Sequence, residues 1–104
     1  MQHILKSGLN KGNRRIWIEG NRLSSAGFAR GTVLYRTMTD GQITLSTVPA
    51  DGRKHKIAGT PERPILDLCG KWVTDFMGTA THFCVTVYGS RWGIKLTICP
   101  KEEV

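Results

Sequence analysis

Ile16 and Ile18 alternate with Trp17 and Glu19, and farther along Val33, Tyr35 and Thr37 alternate with Leu34 and Arg36. A period of two marks half-buried strands. Thr39-Asp40-Gly41-Gln42 then leads into Ile43-Thr44-Leu45 and predicts a tight hairpin, because Asp-Gly adopts the left-handed dihedrals of a type I′ turn. Between the strands, Ser24 or Ser25 is expected to cap a very short helix before Gly27. So short a helix depends on packing for its stability.

The same order is written a second time. Ile16-Trp17-Ile18-Glu19-Gly20-Asn21-Arg22-Leu23 has a counterpart fifty positions later in Leu66-Asp67-Leu68-Cys69-Gly70-Lys71-Trp72-Val73. Val33-Leu34-Tyr35-Arg36-Thr37 corresponds to Phe83-Cys84-Val85-Thr86-Val87, and Ile43-Thr44-Leu45 to Ile94-Lys95-Leu96, so the offset drifts to fifty-one. Thr74 or Asp75 takes the capping place before Gly78, and Gly89-Ser90-Arg91-Trp92-Gly93 makes a looser second hairpin. Residues 16–47 and 65–98 therefore read as repeats inside one domain spanning 1–104. Residues 49–64, rich in Gly, Pro and charge and without clear periodicity, read as the linker between them.

A chain of 104 residues suits one modest core, not a large lidded substrate cleft. Charged residues make up 22% and hydrophobic residues 39%, a globular balance that excludes a disordered tail. No run approaches the length of a membrane span, and the apolar stretch at the start is too short for a secretory signal. Cys69, Cys84 and Cys99 are odd in number, so a fully paired disulfide framework is not expected and a reducing cytoplasm fits best.

Charge adds a polarity to this plan. The net charge is +7, and all of it lies in residues 1–59, while residues 60–104 sum to zero. A one-sided cationic field favours a polyanion, because each neutralised phosphate releases condensed counterions. Lys11, Arg14 and Arg15 are expected before the first strand, Arg22 at the opening of the short helix and Arg30 after it, where they could gather along one end of the fold and grip phosphates. Arg53, Lys54 and Lys56 of the linker are further candidates. Trp17 and Tyr35 suit either base stacking or core packing. Trp72 and Trp92 suit packing at an end of the fold.

Ile16 to Thr47, with Gly20, Leu23, Ala26-Gly27-Phe28, Gly31 and the hairpin, resembles the SymE-like toxins. Ala26-Gly27-Phe28-Ala29-Arg30-Gly31-Thr32 is the closest stretch, and Gly70-Lys71-Trp72-Val73 resembles the same family's entry into its short helix. The resemblance implies a mostly β, swapped-hairpin barrel like that of the AbrB and MazE proteins, with two short helical turns. Two chains pair to complete one barrel in those relatives, so two copies here imply a covalent pseudo-dimer that could be monomeric. It also implies RNA-associated toxins and DNA-binding regulators as the functional class.

Nucleic-acid binding, to RNA or DNA, is accordingly the leading expectation. A protein-binding inhibitor or antitoxin-like protein, presenting its basic side to an acidic partner, is the alternative. An RNA-cleaving toxin is a lesser one, for His3, His55 and His82 lie in unlike settings and no pair is local in sequence. Positive neighbours disfavour protonation of His55. The cysteines are fifteen apart, make no metal-ligand pair and are expected to be buried, and the glycines form no phosphate-cradling motif. Asp67 falls on a strand and Asp75 on a cap, so neither is expected to serve as an acid–base pair. No catalytic residue, metal or cofactor is assigned, and no membrane partner is expected.

Overall fold

In the computed structural model, which describes residues 2–90 and 93–102, the first half of the chain runs β1 (Gln2–Lys6), β2 (Gly8–Asn10), β3 (Asn13–Glu19), α1 (Asn21–Ser24), β4 (Val33–Thr39) and β5 (Gln42–Ser46). The second half runs β6 (Lys54–Lys56), β7 (Ala58–Gly59), β8 (Pro64–Cys69), α2 (Lys71–Met77), β9 (His82–Ser90) and β10 (Gly93–Lys101). These strands form two antiparallel sheets, ordered β1-β9-β10-β5-β4-β6 and β2-β3-β8-β7.

Both orders are palindromes once each strand of one half is exchanged for its counterpart in the other. The registers agree. Trp17 faces Asp67 in the β3–β8 ladder and Leu45 faces Leu96 in the β5–β10 ladder. Each pair joins corresponding positions, fifty and fifty-one residues apart. An antiparallel ladder in which counterparts face one another has a local twofold axis between them. The sheets have free edges at β1, β6, β2 and β7, and the described ladders do not close into a barrel.

Period two converts directly into burial. Ile16 and Ile18 of β3, Leu66 and Leu68 of β8, Ile43 and Leu45 of β5, and Leu96 and Ile98 of β10 all enter one buried cluster, so the two sheets share a core. Leu23 of α1, Val73 and Met77 of α2, and Phe28 and Phe83 belong to it as well. The hairpin at residues 39–42 forms as the dipeptide requires, with φ of 52° at Asp40 and 70° at Gly41.

Three expectations are corrected. The residue before each helix is a glycine, Gly20 or Gly70, and no side chain caps either helix. Ser24, Thr74 and Asp75 lie inside the helices, where Asp75 pairs with Lys71 four residues earlier. Residues 49–64 are not an unstructured linker, for they contain β6, β7 and the first residue of β8. They are the second half's version of β1 and β2, which the repeat at 16–47 did not include. Finally, Cys69, Cys84 and Cys99 are free but half-exposed, not buried, and Cys84 faces Cys99 across β9 and β10. The second hairpin's Arg91 and Trp92 lie outside the described residues.

Gly52 fastens the edge strand β6 to β4. The Arg36 N–H donates to the Arg53 carbonyl at 2.8 Å, and a Cβ built on Gly52 would run into the Arg36 carbonyl. Gly52→Ala is expected to push residues 52–54 off β4 and to lower stability by about 1–3 kcal/mol, as over-packing does. Urea unfolding of the two proteins measures it.

Candidate nucleic-acid interface

β6 lies at one edge of the six-stranded sheet, and Ile57 carries the chain from it into β7, at the edge of the other sheet. The ladder to β4 sets Lys54 opposite Tyr35, His55 opposite Leu34 and Lys56 opposite Val33. Alternation turns Lys54 and Lys56 outward, roughly 7 Å apart along the strand, while His55 is half-buried. Lys54 Nζ sits 5.7 Å from the centre of the half-buried Tyr35 ring, within cation–π range.

The loop after α1 brings in one more cation. Arg30 and Lys56 line the same cleft of about 520 Å³, together with Gly31, Ile57, Gly59 and Pro61. Among the described residues the ion pairs are Arg15–Asp67, Arg63–Glu19 and Lys71–Asp75. Arg30, Arg53, Lys54 and Lys56 take part in none of them. Four cations without an acidic partner thus lie along the seam between the sheet edges.

Behind that seam is a stacked cluster. The Arg36 guanidinium lies 3.8 Å over the Trp72 ring, its Nη1 is 3.3 Å from His55 Nε2, and the His55 and Trp72 rings are 5.8 Å apart. Burial, and then the charge of Arg53, pulls Arg36 below its ordinary value. Burial, and then Arg36 and Arg53, pulls His55 below the usual 6.5. A base with a lowered folded-state pKa contributes stability that is complete above its unfolded value and is lost as pH falls through the folded one. The protein is therefore expected to lose stability from about pH 6.5 downward, and His55→Gln to flatten that decline. Urea midpoints from about pH 7.5 to pH 5 measure it.

The other basic candidates do not gather here. Arg14 and Arg15 do not precede β3 but lie within it. Arg14 Nη1 donates to Ser7 Oγ at 3.2 Å, and Arg15 forks onto both oxygens of Asp67 at 2.9 and 2.8 Å. That pairing holds Arg15 above its ordinary value, the Asp67 hydrogen bond contributing most. Arg15 also covers Trp17 at 4.3 Å, on a ring that is 36% exposed and outside the core. Lys11, in the β2–β3 turn, lies at the edge of the four-stranded sheet opposite β7. Three strand spacings, about 14 Å, separate those edges. Arg22 lines a second cleft, with His3, Glu19, Asn21, Glu62 and Arg63.

The sequence pattern alone does not single out Arg36. The ladders shift the sequence alignment of these strands by one residue and set Arg36 in correspondence with Val87 instead of Thr86. The one sequence signal for Arg36 is a charge on a strand whose counterpart carries none there. Among the described residues no three His, Cys, Asp or Glu side chains converge as a metal site, and no helix is long and apolar enough to cross a membrane. Comparison with protein-family models, curated proteins and solved structures finds no match to the chain.

Proposed function

We propose that the protein binds nucleic acid along the seam formed by Arg30, Arg53, Lys54 and Lys56. The observation that carries this reading is the cleft shared by Arg30 and Lys56, next to two further cations, with no ion pair to any of the four among the described residues. Such cations keep counterions that a phosphate backbone displaces with a gain in entropy. Tyr35 beside Lys54 offers an aromatic face for a base.

The same proposal takes the chain as a covalent pseudo-dimer, two swapped-hairpin halves of the kind found in the AbrB and MazE proteins. The palindromic strand orders and the facing counterparts support it. In this arrangement both halves supply the core, and the unpaired cations come from both, Arg30 from the first and Arg53, Lys54 and Lys56 from the second. The free cysteines suit a reducing compartment such as the cytoplasm, and a toxin or a regulator could use such a surface.

Fluorescence anisotropy with labelled single-stranded RNA and duplex DNA tests the reading. Saturable binding that weakens steeply with added salt is the expected result. Binding to neither, or binding indifferent to salt, would refute it.

A further inference from the structure

His55 has a counterpart. It faces Leu34, two residues before the Arg36 that faces Leu45. His3 faces Val85, two residues before the Val87 that faces Leu96. Since Leu45 and Leu96 face each other, His3 and His55 occupy corresponding places on β1 and β6. Two of the differences in their surroundings set the room beside the ring. Val87 stands where the other half has Arg36, and Arg22, fifty positions before Trp72, stands where the other half has that ring.

The consequence is an opened slot. His55 Nε2 meets Arg36, whereas His3 Nε2 is buried and without a hydrogen-bond partner. Where Trp72 and Arg36 fill one half, the other holds a cleft of about 650 Å³ lined by His3, Glu19, Asn21, Arg22, Glu62 and Arg63. Glu19 is already engaged, for hydrogen bonds from Trp17 and Arg63 hold its carboxyl below the usual range. Glu62 and Arg22 form no ion pair among the described residues. The cleft thus offers one free carboxylate and one free guanidinium, beside a His3 ring whose Nε2 is closed off from solvent.

We propose that this cleft receives an unpaired guanine from the bound strand. Guanine carries adjacent N1–H and N2–H donors that a carboxylate accepts in parallel, and adjacent O6 and N7 acceptors that a guanidinium meets in parallel. Glu62 takes the first edge and Arg22 the second, with the His3 ring forming part of the wall. Adenine has no donor pair for Glu62, and cytosine and uracil have no imidazole ring edge for Arg22. The N1–H and N2–H edge that Glu62 takes is occupied by base pairing in a duplex, so the pocket requires an unpaired guanine. Position favours the strand on the seam: the turn at residues 60–63 gives Pro61 to the cleft of Arg30 and Lys56, and Glu62 and Arg63 to this one.

The inference rests on the proposed nucleic-acid binding, and one experiment separates the two. Anisotropy is measured with two labelled single-stranded RNAs identical but for a central guanine or adenine, across a salt series. The guanine strand is expected to bind about tenfold more tightly. Inosine, which lacks the N2 amino group, and 7-deazaguanine, which lacks N7, should each lose part of that margin. Glu62→Gln, an exposed position outside the core, should abolish the preference and leave the salt dependence unchanged. The His3 ring resonances should move with the guanine strand and not with the adenine one. Equal affinity for both strands, with salt dependence intact, would overturn the guanine pocket and leave nucleic-acid binding standing. Failure to bind either strand would overturn both.

Discussion

Leu96→Ala is expected to lower the free energy of unfolding by about 2–5 kcal/mol, and Leu45→Ala by a similar amount. Both side chains are completely buried and face each other in the ladder that joins the two halves. Each truncation removes apolar area from the shared core and leaves a cavity that the flanking Ile43 and Ile98 can only partly fill. A small domain is held by only about 5–15 kcal/mol, so either change consumes a large fraction of the total. Because the two leucines occupy one site, the double variant should fall short of the sum. Urea unfolding of the two single variants and the double variant measures this. Independent, fully additive losses would mean that the halves do not share a core at this axis.

Reversing the charge of Arg30, Lys54 and Lys56 together is expected to weaken nucleic-acid binding by about 100-fold at 0.1 M salt. Each neutralised phosphate contributes about 0.7–0.9 to the slope of log affinity against log salt. Over the decade between 0.1 and 1 M salt, the removal of three such cations therefore amounts to roughly two logarithmic units. The slope itself should become shallower by about 2–3. All three residues are exposed, so the fold should survive the change. Arg15→Gln supplies the contrast, since its guanidinium is already bound to Asp67, and it should leave both affinity and slope nearly unchanged. Anisotropy across a salt series reads both quantities.

The parts legible in the sequence are those where the physical signal is local. Ile16 and Ile18 declare a strand because one face meets a core, and Asp40-Gly41 declares a turn because few dipeptides tolerate its dihedrals. β6 and β7 carry no such signal. A three-residue Lys-His-Lys strand at a sheet edge is held by its ladder to β4, not by any pattern of its own. The helix starts mislead for a related reason. Serine and threonine suggest caps, but Gly20 and Gly70 turn the chain with positive φ and no side-chain bond is made.

The same division holds for the candidate site. Net charge and its segregation are additive and can be counted from the sequence. Which cations are free cannot, because Arg15 is neutralised by Asp67, fifty-two residues away, through a register set only when β3 and β8 pair. Tyr35 and Trp17 are ambiguous in sequence between core and surface. In the fold the first is half-buried beneath Lys54 and the second is outside the core beneath Arg15. His3 and Glu62 become candidates only once the fold has set them around one cleft.

Amide chemical-shift mapping of the isotope-labelled protein with single-stranded RNA tests the location of binding most directly. The account predicts shifts concentrated at Arg30 and Gly31, Arg53 to Lys56, and Thr60 to Arg63, with Lys11, Arg14 and Arg15 undisturbed. Shifts centred on those last three residues, or scattered over both edges of the four-stranded sheet, would contradict it.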